Sequence, residues 1–233
     1  MRPGRDTWML TLALACATAT GAGAQAVSPP PSRLSASLAV GVLGAMSLGE
    51  SRADLRSNDP AGSPFTLFRS AVRIEPAATW QGRLAWRLSD HVDVEGGVSV
   101  ARPDVTSALS ADVEGAASLV AVERTVQYVL EAGAIVRPWG GGLRERTVPF
   151  LAGGVGYVRQ LHEGRVLVDD GAVLYAGGGV RHRLAAPASG LVRTVWLRFD
   201  ARLRAHRGGV GDRAGTGGTP MQGEVSGGVQ LGF

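Results

Sequence analysis

Apolar residues recur at every second position along most of this chain, and few folds tolerate that. In "VSGGVQLGF", residues 225–233, Val225, Val229, Leu231 and Phe233 share one parity. Ser226, Gly228, Gln230 and Gly232 share the other. Such a period belongs to a strand with one apolar face, not to a helix. The pattern returns upstream in "LSASLAVGV", "TWQGRLAWRL", "VDVEGGVSV", "TVQYVLEAGAIV", "VPFLAGGVGYV", "VLYAGGGVRHRL" and "TVWLRFDARLR". The spacing therefore predicts eight strands and an all-β chain.

The connections and the polar faces say how those strands are arranged. Ser89, Asp90 and His91 make a tight turn between two alternating runs, which reads as a β-hairpin. Longer polar connections, near residues 47–70 and 102–124 and after Arg204, all fall at the opposite end. Short turns at one end and long loops at the other, with an even strand number, are the habit of transmembrane barrels. The polar parity carries Arg83, Arg87, Arg181, Arg183, Arg198 and Arg202 with Asp93, Glu95, Glu131 and Asp200. Arginine suits close pairing with carboxylates in a water-poor space. The expected fold is an eight-stranded antiparallel transmembrane β-barrel of up-and-down topology, with a polar, ion-paired lumen. Glu131 is expected to pair with Arg83, Arg181 or Arg198. Trp80, Tyr128 and Tyr157 fall towards the long-loop ends of their strands. Trp86, Trp139, Phe150 and Phe233 fall near the short turns, although Phe150 and Trp196 have the parity of the polar face. Two aromatic bands fit the interfacial girdles of a membrane barrel. A soluble lipocalin-like carrier in the periplasm is the alternative, with apolar cavity and polar exterior.

The N-terminal residues indicate export. Arg2 and Arg5 precede the apolar run "WMLTLALACATA", and small residues follow, the pattern of a signal peptide. Cleavage after Ala26 is favoured over Ala24, giving a signal at 1–26, a Pro-rich leader at 27–33 and a barrel domain at 34–233. The run is too short to span a bilayer, and Cys16 lacks the Leu at position 13 usual for a lipoprotein signal. Cys16, the only cysteine, leaves with the signal, which excludes disulfide and thiol chemistry from the mature chain. The 24 basic residues are all Arg, yet the net charge is only +4. That excess, on an exported chain, does not imply nucleic acid as a partner.

The stretches "RLAWRLSDHVDVEGGVSV" and "VPFLAGGVGYV", with the C-terminal Phe, resemble the OmpA/OmpX-like barrels of bacterial outer membranes. The likeness spans most of residues 33–233, and the chain ends where a peptidoglycan-binding domain would follow in OmpA itself. It implies a small protein of the Gram-negative outer membrane. Val229, Leu231 and Phe233 then form a C-terminal assembly signal read by the barrel assembly machinery.

Little in the sequence looks catalytic. "AGGVGY" and "AGGGVRHR" are not phosphate-binding loops, because neither is G-x-G-x-x-G before a helix and no Lys exists for a P-loop. Glycine inside strands fits bends and tight packing. The four histidines, His91, His162, His182 and His206, have no metal-ligand spacing, and no cofactor is expected. His182 has the parity to face lipid, so a lipid A-modifying enzyme is the enzymatic alternative. It lies near the short-turn end, though, and has no adjacent Ser to serve as nucleophile. Eight strands leave an interior only wide enough for side chains, which argues against an open pore. The reading is a non-enzymatic outer-membrane barrel in an envelope-integrity or surface-binding role exercised through its loops. Arg204 and Arg207, with His206 and Arg213 in the last loop, are candidate contacts for lipopolysaccharide phosphates, since the guanidinium fork binds phosphate bidentately.

Overall fold

The computed structural model describes residues 32–55, 65–110, 118–138, 146–162, 168–208 and 219–233. The signal peptide, most of the leader, Trp139 and Arg213 lie outside the described residues. Among the described residues eleven strands follow one another: β1 (Leu34–Leu43), β2 (Met46–Leu55), β3 (Phe65–Ile74), β4 (Ala77–Arg87), β5 (Val92–Ala101), β6 (Asp104–Ser110), β7 (Leu119–Val136), β8 (Thr147–His162), β9 (Val168–Ala185), β10 (Thr194–Gly208) and β11 (Met221–Gly232). Among the described residues no helix is long and apolar enough to cross a membrane.

Eight of these strands form a closed antiparallel barrel in the order β1-β4-β5-β7-β8-β9-β10-β11, with β11 pairing back onto β1. Closure leaves the wall no free edge, which a hydrocarbon surrounding demands. The last strand closes it: Leu38 lies opposite Val229 and Ala36 opposite Leu231. The Phe233 backbone N–H donates to the Leu34 carbonyl at 2.9 Å. The predicted hairpin at 89–91 is present, and Ser89 Oγ accepts the backbone N–H of Val92 at 3.2 Å.

The remaining strands correct the sequence reading. Residues 47–70 and 102–124, expected as polar loops, instead supply β2, β3, β6 and the first part of β7. They pair in the order β2-β3-β6-β7 and carry the sheet beyond the barrel at the long-loop end. Their alternation is interrupted by a register shift near Gly49, whose φ of 144° suits glycine. On the side that continues the lumen lining, Met46, Leu48, Ile74 and Val105 form a buried apolar cluster.

Burial follows strand parity. Leu38 is 76% exposed on the outer wall, and its neighbour Ser37 is buried. Glycines make room inside. A Cβ on Gly133 would stand 2.2 Å from the Gly153 carbonyl oxygen and 2.4 Å from the Tyr175 hydroxyl. Tyr175 occupies the space that those hydrogens leave, packed with Ile135 and Phe150.

Candidate functional site

Inward-facing side chains build a stack of ion pairs along the barrel axis. Nearest the short turns, Asp93 is paired with Arg137 and with Arg181 at 3.3 Å, and Arg87 approaches to 4.0 Å. In the middle, Glu95 accepts from Arg198 Nη1 at 2.5 Å and from Arg202 Nη2 at 2.7 Å. Arg83 stands 4.0 Å from Glu95 and 3.1 Å from Asp200. Asp200 also accepts from Arg198 Nε at 2.8 Å. Towards the long loops, Glu131 accepts from Arg202 at 3.1 Å and from Arg204 Nε at 2.7 Å. Arg204 Nη1 in turn lies 2.5 Å from Glu224. Between charged layers, the Phe150 ring carries the guanidinium groups of Arg181 and Arg198 at 5.0 and 4.9 Å. Such cation–π contacts gain strength where water is excluded.

Several expectations need correction. Glu131 does not meet Arg83, Arg181 or Arg198; its partners are Arg202 and Arg204. The barrel is narrow enough for side chains to meet across it, and strand stagger decides which heights coincide. Arg204, expected at the lipid headgroups, is 1% exposed inside the lumen. Arg207, on the other parity, does face outward and is exposed. Arg183 is half-buried, with its guanidinium 5.9 Å over the Trp196 ring. Phe150 belongs to the lumen and not to a girdle, as its parity already indicated.

Other residues were missed. Arg137 fell just past the expected strand, yet it is 2% exposed and bound to Asp93 and to the Ser89 and Asp90 carbonyls. Glu224 and Gln81 share the lumen parity and hydrogen-bond to one another. Farther towards the long loops, His162 bridges Glu123 at 2.8 Å and Asp169 at 2.9 Å. Parity would have found each of these, Arg137 included, since it continues the odd positions of Gln127 and Glu131.

The outer wall is the inverse of the lumen. Leu38, Val42, Leu84, Leu130, Leu151, Val155, Leu174 and Val225 all stand more than half exposed. Trp80, Tyr128 and Tyr157 are exposed at the loop end and Trp86 near the short turns. Val229 faces outward, and Leu231 and Phe233 are half-buried on the closing strand. Near the short turns His182 Nδ1 lies 2.8 Å from Thr147 Oγ1, so a hydroxyl partner exists across the strand pair. Among the described residues no group of three or more His, Cys, Asp or Glu is placed to hold a metal. At the short-turn mouth a cavity of about 30 Å³ is bounded by Arg87, Asp93, Arg137, Arg181 and Trp196. It has room for water and for little more.

An apolar exterior around a charged interior defines the class: this is a transmembrane β-barrel. It has the eight-stranded closed architecture of the OmpA/OmpX-like barrels, with a sheet extension added. No protein-family model matches the chain, and no curated protein matches it. Among solved structures, it is similar to Neisserial surface protein A, with 13% identity over 85% of this chain and 97% of that one, TM-score 0.48. It is similar to Ail, the attachment invasion locus protein of Yersinia pestis, solved with the heparin analogue sucrose octasulfate; identity is 11% over 86% and 99% of the two chains, TM-score 0.43. It is also similar to the outer membrane protease OmpT from Escherichia coli, with 8% identity over 87% and 97%, TM-score 0.39. At these identities the likeness concerns fold alone.

Proposed function

We propose that this protein is a non-enzymatic barrel with a structural, envelope-integrity or surface-binding role, exercised by the sheet extension and loops at its long-loop end. The carrying observation is the filled lumen. Arg198, Arg202, Arg204, Glu95, Asp200 and Glu131 are each at most 6% exposed and tied to one another across the barrel. Opening a path would leave such charges unpaired, which is strongly unfavourable. A carrier of the lipocalin kind would have the polarity reversed. For an enzyme acting on lipid A, the Thr147–His182 pair stands at the wrong end, beside the short turns. The surrounding partners are outer-membrane lipid and, during biogenesis, the barrel assembly machinery acting on Val229, Leu231 and Phe233.

Two measurements on one preparation test this. Folded barrels resist detergent, so the band from the membrane fraction should shift on boiling. The refolded protein should give no stepwise conductance in a planar bilayer. A soluble periplasmic protein without a heat shift would overturn the membrane reading. Steady conductance steps would overturn the closed lumen.

A further inference from the structure

The outward wall of β8, β9 and β10 carries charges where the rest of the wall is apolar. In the loop-end girdle Tyr128 lies opposite Arg159, and Arg159 opposite Asp170. One row closer to the membrane core, Tyr157 lies opposite Ala172, and Ala172 opposite Arg207. Aromatic girdles mark the level of lipid headgroups. Arg159 and Arg207 therefore stand at headgroup depth, outside the barrel.

Their local contacts leave positive charge available. Asp170 Oδ1 accepts the Tyr157 hydroxyl at 2.5 Å, while Arg159 Nε approaches the same oxygen only to 3.9 Å. Arg159 and Asp170 are both about half exposed, 53% and 50%. Among the described residues Arg207 has no ion-pair partner, and it is exposed. Only the small side chain of Ala172 stands between Tyr157 and Arg207 in this row. Two strand spacings separate β8 from β10, roughly 10 Å, a gap that two long arginine side chains can span from both sides. A guanidinium fork at headgroup depth is matched to phosphate oxygens.

We propose that Arg159 and Arg207 form a clamp for a phosphate of the glycolipid in the long-loop leaflet, lipopolysaccharide in a Gram-negative outer membrane, with the Tyr157 hydroxyl engaging the Asp170 carboxylate that would otherwise compete for Arg159. The proposal rests on the membrane orientation given above. It replaces Arg204, which is committed to Glu131 and Glu224, with Arg159 as the partner of Arg207.

The refolded protein in detergent is titrated with purified lipopolysaccharide, with the same material after dephosphorylation, and with inorganic phosphate. Each arginine contributes charge-assisted hydrogen bonds, so R159Q/R207Q should weaken lipopolysaccharide binding by about tenfold or more. Dephosphorylation should weaken binding to the wild type by a similar factor and leave the double variant almost unchanged. D170N, which removes the competing carboxylate, should bind more tightly. R193Q, at the short-turn end, should bind as wild type does. Inorganic phosphate should compete only weakly, since the rest of the lipid lies against the apolar wall. Equal affinity of the double variant and wild type would overturn the clamp, as would indifference to dephosphorylation or equal loss in R193Q. All variants should keep the heat shift; its loss in the wild type would overturn the membrane reading instead.

Discussion

The lumen and the sheet extension use the same charged residues for opposite ends. In the lumen, Glu95 and Arg198 are each 3% exposed and meet at 2.5 Å, with Arg202, Arg83 and Asp200 closing around them. On the extension, Arg73 and Glu75 meet at 3.2 Å with 57% and 36% of their side chains exposed. Distance hardly separates the two pairs; solvent does. Water has already been excluded around Glu95, so its partners cannot be replaced by solvent when it is lost. Around Arg73 water stands ready to substitute. The comparison assigns architecture to the interior charges and leaves the exterior ones free for partners.

Removing a lumen charge should sharpen that contrast most. Glu95→Ala strips carboxylate from both Arg198 and Arg202 and leaves two guanidinium groups to share Asp200 and Glu131. The expected loss is about 3–5 kcal/mol, the range for breaking a buried pair. Urea unfolding of the refolded barrel in detergent measures it. A loss below about 1 kcal/mol would mean that water reaches this layer and would erase the distinction between the two regions.

The next effect should be confined to the extension. Ile74 is fully buried against Met46, Leu48 and Val105, the cluster that holds β2, β3 and β6 together. Ile74→Ala should destabilise this unit by about 2–4 kcal/mol through lost burial and the cavity left behind. Amide exchange should accelerate in β2, β3 and β6 while the barrel strands stay protected and the heat shift persists. Faster exchange throughout the barrel would show that the two regions unfold as one.

Parity explains what was legible beforehand. Leu34 to Val42, Trp80 to Leu88 and Val225 to Phe233 alternate cleanly, because one face meets lipid and the other a crowded lumen. The charged residues of the lumen could be read from that alternation, Arg204 included. Its place beside a basic loop suggested a surface role, and its shared parity with Arg198, Asp200 and Arg202 was the better guide. Pairing was not legible, because Glu131 on β7 meets Arg202 and Arg204 on β10 across the lumen at a height set by stagger. The extension strands escaped for another reason. Past the Met46–Leu48 cluster, the stretch "ESRADL" is exposed on both faces, so it has little need of alternation, and backbone pairing carries it.

The smallest effect sets the lower bound of the comparison. Glu75→Ala removes the partner of Arg73, but both groups are bathed in solvent and Arg73 gains water in exchange. The loss of stability should stay within about 0.5 kcal/mol, and added salt should shrink even that, since exposed pairs are screened at about 10 Å in 0.1 M salt. Unfolding in urea at low and high salt, beside Glu95→Ala under the same conditions, tests both halves at once. The lumen variant should lose as much at high salt as at low, because mobile ions do not enter a filled barrel. If Glu75→Ala cost as much as Glu95→Ala, or if salt erased the larger loss, burial would not be what separates the two regions.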